Sequence, residues 1–412
     1  MTSTHYFPVV FSGHVDHGKS SLIGRILFDT NSISPDRIEE VKKISAQLGR
    51  DFEFCFLLDY MQEEREQNVT IDITETFFST PKRDFVIIDA PGHREFTKNM
   101  VTGASRAEAA VLVIDVNEGI CEQTRRHAYI LSLLGIRQIL VAVNKMDLCQ
   151  FSKSTFDHVA KSVEELFKTL GVVPQYIIPI SATGADNVLH KSANCAWYTG
   201  PTVIEALETL SSSKSISSGA LCLPIQDVYV VEGKRVYVGT VGSGTITMGQ
   251  MITVLPSGQS STVKAVREFA NPLKKEASAG ESIGIELTDK LFVERGNIIV
   301  SESSHLQPVT TFEATIFWLS PEKFTIGDEL LLRCATQEMM CKISSIHTVM
   351  NSSTLAQVGG ELKHISTHEV ARVSVTCVGS VVIDVSGVFA DLSHFVLERN
   401  SQVVAGGIVL KA

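Results

Sequence analysis

Eight consecutive residues, Gly13-His14-Val15-Asp16-His17-Gly18-Lys19-Ser20, with Ser21 behind them, hold the densest chemistry of the chain. Glycines leave the backbone free to turn its N–H groups inward around anionic oxygens. Lys19 reaches toward terminal phosphates and Ser20 offers a hydroxyl to Mg2+. The run follows an apolar stretch, Phe7 to Phe11, and opens a helical pattern near Ser20, so a helix N-terminus adds its dipole to the anion site. This reads as a phosphate-binding loop. A second stretch, Phe85 to Ile88, runs as an apolar strand straight into Asp89-Ala90-Pro91-Gly92-His93. A carboxylate at a strand end holds a Mg2+-bound water, and the N–H of Gly92 turns toward a γ-phosphate. A third, Gln138 to Val143, ends in Asn144-Lys145-Met146-Asp147. The Asp147 carboxylate accepts two hydrogen bonds from guanine N1 and N2, which adenine does not offer. Lys145 covers the ring with its stem, and Asn144 ties this loop to the phosphate loop. After Tyr176 to Ile180, Ser181-Ala182-Thr183 offers backbone N–H groups to guanine O6. The ligand expected is GTP or GDP with Mg2+.

These residues need a scaffold that brings strand ends together. Tyr6 to Ser12 and Val111 to Asp115 complete the strand patterns, while Ser20 to Phe28 and Gln123 to Leu134 read as helices. Another helix is signalled by Ser34 as N-cap and Pro35 in the first turn, running through Ile38, Val41 and Ile44 toward Gly49. Strands alternating with helices predict a mostly parallel α/β sheet with flanking helices, its ligand at the carboxyl ends of the strands. Between the second helix and the β-rich run lies the charged stretch Asp59 to Thr70. Its place after the phosphate loop suits a segment ordered by a γ-phosphate and Mg2+, with Thr70 as second protein ligand to the metal.

The sequence has 412 residues, enough for about two to four domains. Its 46 acidic and 36 basic residues give a net charge of -10, which argues against bulk adhesion to nucleic acid or anionic lipid. The eight cysteines form no C-x-x-C pair, so they read as reduced core thiols rather than a disulfide framework or zinc site. No basic leader and no membrane-length apolar run is seen, and the expectation is a cytoplasmic protein. A GTP-binding domain is expected over 1–210, a Ser-rich linker over 211–219, and two all-β barrels over 220–304 and 305–412, where alternating strands are punctuated by Gly and Pro.

Taken together, G-H-V-D-H-G-K-S, D-A-P-G-H and N-K-M-D resemble the translation-factor-type GTPases. That resemblance implies that His93 orients the attacking water and that Val15 and Val69 gate its approach. Asp16 has two readings, support of a monovalent cation or the loop backbone, and a structural role like that of an N-cap. Within the family the chain resembles the CysN/NodQ-type GTPase subunit of bacterial sulfate adenylyltransferase. Asp59 to Asp72 (D-Y-M-Q-E-E-R-E-Q-N-V-T-I-D) carries the likeness, with Ser79 to Arg83, Gln123 to His127, Asp186 to Val188 and Trp197 to Pro201. The likeness covers nearly the whole chain. It implies a GTPase that promotes adenylyl transfer from ATP to sulfate by a separate CysD-type, ATP-sulfurylase-like catalytic subunit in a hetero-oligomer, with neither membrane nor nucleic acid as partner. The alternative is an elongation-factor-like GTPase delivering aminoacyl-tRNA to ribosomes.

Three features depart from the sulfate subunit's pattern. The phosphate loop has two histidines, Asn68 stands where Gly is usual, and Val69 replaces Ile. Asn tolerates a left-handed backbone better than most residues, and a shorter side chain at 69 implies a looser gate and faster intrinsic hydrolysis.

Overall fold

The computed structural model describes residues 6–47, 54–57, 74–90, 107–211, 219–231, 233–268, 274–352, 354, 356–359, 362–386 and 389–412. Two compact units divide the chain. One comprises Met1–Ser212 with Ser352–Thr354, the other Ser213–Asn351 with Leu355–Ala412.

The first unit is built on a six-stranded sheet. Its strands are β1 (Phe7–Gly13), β2 (Thr74–Ser79), β3 (Asp84–Asp89), β4 (Ala109–Asp115), β5 (Gln138–Asn144) and β6 (Tyr176–Pro179). They lie in the order β2-β3-β1-β4-β5-β6, and all pairings are parallel except that of the edge strand β2 with β3. The run Ala-Ala-Val-Leu-Val-Ile-Asp of β4 is buried at every position, as a strand covered by helices on both faces must be. Strand β1 sits between β3 and β4, so the order reverses there. A crevice opens at the carboxyl ends on both sides of it, and the loop leaving β1 is Gly13 to Gly18.

Helix α1 (Lys19–Asp29) follows that loop, and α2 (Pro35–Gln47) is capped by Ser34, whose Oγ accepts from the Arg37 N–H at 3.4 Å. Val41 of α2 joins Phe56 and Leu57 of a short 3₁₀ turn in a small buried cluster. Helix α3 (Glu122–Leu133) matches its expected span to one residue. Two further helices, α4 (Lys153–Thr169) and α5 (Val203–Thr209), were not among the elements anticipated. Their signals are present: Phe156, Val159, Val163 and Phe167 recur at helical spacing behind a Ser152 cap, and Thr202 with Glu205 forms a capping box.

The second unit is all β. Strands β7 (Cys222–Val231), β8 (Lys234–Thr240), β10 (Met251–Leu255), β11 (Gln259–Arg267), β13 (Ser282–Leu287) and β14 (Ile298–Ser301) close one barrel, with β9 (Thr245–Thr247) and β12 (Glu276–Ser278) paired beside it. A second barrel is closed by β15 (Pro308–Trp318), β17 (Glu329–Cys334), β18 (Gln337–Asn351), β20 (Glu369–Val382), β21 (His394–Arg399) and β22 (Gln402–Lys411), with β16 (Phe324–Thr325) and β19 (His364–Ile365) as a short pair. Cys222, Leu255, Ile298 and Val300 of the first barrel belong to the same buried cluster as Trp318, Phe324 and Leu332 of the second, so the two share one core. This architecture, a parallel-sheet α/β domain followed by β-barrels, is the one indicated by the sequence.

Among the described residues seven cysteines are free, and Cys195, Cys222, Cys334, Cys341 and Cys377 are buried. Burial pushes the Cys334 and Cys341 thiols up to about 12, which keeps them protonated and unreactive. Among the described residues no helix is long and apolar enough to cross a membrane.

Gly24 shows how tightly α1 is seated. A Cβ there would lie 2.1 Å from the backbone oxygen of Phe54. Alanine favours a helix interior over glycine by about 1 kcal/mol, but overlap with a backbone atom costs about 1–3 kcal/mol. Gly24→Ala should therefore lower the melting temperature of the transition containing the first unit, as read by scanning calorimetry; an increase would show that α1 has room to move.

Candidate functional site

The phosphate loop is shaped by close approaches. A Cβ on Gly13 would stand 2.6 Å from the Val113 oxygen of β4, and one on Gly18 would stand 2.2 Å from Asn144 Nδ2. Gly18 also has φ 84°, where glycine alone is at ease. It is the residue before α1, and no side chain caps that helix. The cap-like role for Asp16 is thus not taken up, and Asp16 itself is exposed with φ 63°. The first turn of a helix leaves N–H groups without intrahelical acceptors, which suits this end of α1 to an anion. His14 and Val15 are half-buried, whereas His17 is fully buried with its ring edge-on to His14.

Lys19 and Asp89, seventy positions apart, meet as a buried ion pair. The pair joins the loop after β1 to the end of β3, as adjacent parallel strands require. The remaining sequence-derived site residues on this side, Gly92, His93, Val69 and Thr70, lie outside the described residues, as does Asn68.

On the base side one amide does the joining. Asn144, at the end of β5 and 2 % exposed, donates from Nδ2 to the His17 carbonyl at 2.9 Å and accepts on Oδ1 from the Ala182 N–H at 3.0 Å. The Ala182 donor is thereby engaged within the protein. Ser181 donates its hydroxyl to Asp147 Oδ1 at 2.6 Å, which orients the carboxylate and leaves lone pairs for another donor. Lys145 has φ 63°, and its ammonium lies 2.8 Å from Asp115 Oδ2. Thus Gly18, Asn144, Lys145, Asp147, Ser181 and Ala182 converge on one end of the sheet.

The structure adds residues that the sequence reading did not single out. Asp115, at the end of β4, is paired with Lys145 and accepts from the Asn117 N–H at 2.7 Å. Burial works against its ionisation, but the Lys145 ammonium, the Asn117 N–H and His17 outweigh it and hold the carboxyl below its ordinary range. A carboxylate closing the buried run Val111–Ile114 was the available signal. Glu118, which meets His17 Nε2 at 3.1 Å, had none. Behind the guanine-side loops stand stretches that carried only family likeness in the sequence. Asn187 donates to the Pro179 carbonyl at 2.8 Å, and Trp197 Nε1 donates to the Phe151 carbonyl at 3.0 Å. Arg83 donates to the Leu210 carbonyl at 2.6 Å and lies over the Phe7 ring.

His127 of α3 is buried, and its Nδ1 has no hydrogen-bond partner among the described residues. Burial, followed by the charge of Arg126 and the nearby Lys19, His14 and His17, pushes its pKa down to about 3. The unfolded chain takes up this proton near pH 6.5, so between about 6.5 and 3 the unfolded state binds more protons. Stability then rises with pH across that window and is lost as pH falls through it. Urea titrations from pH 4 to 7 should show a shallower slope for His127→Leu than for the parent; equal slopes would show that His127 is not the group responsible. Asn144→Ala removes both hydrogen bonds of a buried bridge, each worth about 0.5–1.5 kcal/mol, and should weaken GDP binding by at least about ten-fold in a fluorescence displacement assay.

Comparison with known proteins agrees with this geometry. The model of the elongation factor Tu GTP binding domain matches residues 5–229, and that of the GTP-eEF1A C-terminal domain-like family matches residues 311–410. The chain is 36% identical to elongation factor 1-alpha of Thermococcus gammatolerans over 98% of its own length and 96% of that protein's. It is 36% identical to sulfate adenylyltransferase subunit 1 of Saccharophagus degradans over 97% of its length and 85% of that protein's. To the bifunctional enzyme NodQ of Rhizobium sp. it is 35% identical over 97% of its length, and it spans 62% of that longer protein. With a family model over more than half its length and relatives 35–36% identical across 97–98% of it, the chain belongs to the translation-factor family of GTPases.

Proposed function

We propose that this chain is the GTP-binding, GTP-hydrolysing subunit of a sulfate adenylyltransferase. In this reading it promotes the conversion of ATP and sulfate to adenylylsulfate and pyrophosphate by a CysD-type catalytic subunit in the cytoplasm. The observation that carries the reading is the likeness to sulfate adenylyltransferase subunit 1 across 97% of the chain, beside the matching Asp59–Asp72 stretch. Residues 1–210 act as the switch, and the barrels at 220–304 and 305–412 transmit its state.

In the mechanism, Gly13 to Ser21 wrap the phosphates with backbone N–H groups, and Lys19 supplies the charge that balances their negative oxygens. Asn144, Lys145, Asp147 and Ser181 select guanine, with Ala182 serving through its N–H bond to Asn144. The Ser20 hydroxyl and the Asp89 carboxylate, with Thr70, are hard oxygen donors suited to Mg2+, Asp89 acting through water; the metal would neutralise charge on the β- and γ-phosphates. Thr70, Asp89 and Gly92 sense the γ-phosphate. His93 positions the attacking water, and Val15 and Val69 restrict its approach. Hydrolysis stays slow until the partner completes the site.

A second reading has its own support: elongation factor 1-alpha of T. gammatolerans is equally identical, which suits delivery of aminoacyl-tRNA to ribosomes. One experiment separates them. GTP hydrolysis by the purified chain is measured alone and then with an ATP-sulfurylase-like subunit, ATP and sulfate, following adenylylsulfate and pyrophosphate. The sulfate reading expects both activities to rise together, and expects His93→Ala to reduce GTP turnover by about a hundred-fold or more. Absence of stimulation, with GTP-dependent binding of aminoacyl-tRNA instead, would overturn it in favour of the second.

A further inference from the structure

Between the phosphate loop and the guanine-side loop the structure holds a second connection besides Asn144. It passes through the tight turn that follows β4, residues Asp115 to Gly119. The turn closes on itself: Gly119, with φ 61°, donates its N–H to the Asp115 carbonyl at 2.9 Å, and Asn117 donates to the Asp115 carboxylate at 2.7 Å. Its first residue faces the base side, where Asp115 pairs with Lys145 at 2.8 Å. Val116 adds a backbone bond to the Asn144 carbonyl at 3.0 Å. Its fourth residue faces the phosphate side, where Glu118 meets His17 at 3.1 Å. Asn144 in turn bonds the His17 carbonyl, so the ring Asn144, His17, Glu118, the turn, Asp115 and Lys145 closes.

We propose that this turn positions both subsites from one short segment, Asp115 holding Lys145 on the guanine side and Glu118 holding the phosphate loop at His17. The inference rests on the guanine-nucleotide reading of the site. A single amide bridge leaves the two loops able to pivot about it, whereas a second bridge at a different point fixes their relative orientation. Lys145 matters most here. Its side chain is long and rotamer-rich, and Asp115, 5 % exposed against 31 % for Lys145, pins the ammonium at a buried anchor so that the stem is already in place when a base arrives. Glu118 is half exposed and His17 fully buried, so that pair orients the loop more than it stabilises the fold. Asp115 and Glu118 contact the ligand-binding residues and act through them.

The test is displacement of a fluorescent GDP analogue by GDP and by GMP, which lacks the β-phosphate that the loop cradles. Asp115→Asn keeps an oxygen for the Asn117 N–H and removes the charge facing Lys145. It should weaken GMP and GDP alike, by about ten-fold. Glu118→Gln should weaken GDP by about three-fold and leave GMP unchanged. On a Lys145→Ala background Asp115→Asn should add nothing, and on a His17→Ala background Glu118→Gln should add nothing, because each acts through that partner. The positioning roles are overturned if Asp115→Asn keeps its full effect without Lys145, if Glu118→Gln keeps its effect without His17, or if Glu118→Gln weakens GMP as much as GDP, the signature of general loosening. A parent chain that binds GMP and GDP not at all would overturn the nucleotide reading as well, so the two failures are distinguishable.

Discussion

The geometry of the site depends on one buried amide. A side-chain amide taken from water without partners costs several kcal/mol, about 2–7 depending on the reference state, and Asn144 at 2 % exposure avoids that cost by using its donor on His17 and its acceptor on Ala182. Those two partners belong to different loops, so satisfying the amide fixes the distance between them. The constraint propagates to the sequence. Because Nδ2 reaches the phosphate loop, position 18 has no space for a Cβ, and its left-handed backbone independently favours glycine. Asn144 and Gly18 are therefore one structural decision written at two places 126 positions apart.

Charge is arranged around that bridge in buried pairs. Lys19 with Asp89 and Lys145 with Asp115 each neutralise a group that would be expensive to bury alone. The two pairs differ in consequence. Asp115 is locked by its Lys145 contact and by a backbone N–H, which makes it an anchor. On the proposed reading, phosphate oxygens compete with Asp89 for Lys19, and the Asp89 carboxylate would be one of the oxygen donors suited to hold Mg2+ through water. The same ion pair thus holds the loop and the strand end in register and sets the exchange of partners that a nucleotide would bring.

The legible part of the sequence was local. Glycines, a Lys-Ser pair at a helix start and carboxylates at strand ends are forced by backbone geometry and ligand chemistry, and they point to the phosphate loop, Asp89, Asn144 and Asp147 without reference to the fold. The β-barrels were readable as a class because period-two alternation with Gly and Pro punctuation leaves few alternatives. What escaped was long-range. Glu118 gains its meaning only because His17, 101 positions away, is folded against it. Helix α4 escaped for a different reason: its stripe and Ser152 cap were present in the sequence but lay beside stronger motif signals. His93, Val69 and Thr70 belong to the sequence reading and the proposal alone.

The motifs that build the nucleotide site are blind to what the GTPase serves, since relatives named for translation and for sulfate activation match this chain at the same identity. Discrimination must come from surfaces outside that site. Nucleic-acid affinity rests largely on neutralising phosphates with Lys and Arg, yet residues 308–412 carry 7 basic against 10 acidic residues and the whole chain carries a net charge of -10. Several of those cations are already committed: Arg372 to Glu313, Arg399 to Glu322 and Asp328, and Arg333 to Glu338 and Glu398. Drawing them to phosphates would first require breaking these pairs. On the proposed reading this agrees with a protein partner recognised by shape and hydrogen bonding, which meets no net charge repulsion at the second barrel, although surface pairs of this kind are each worth little.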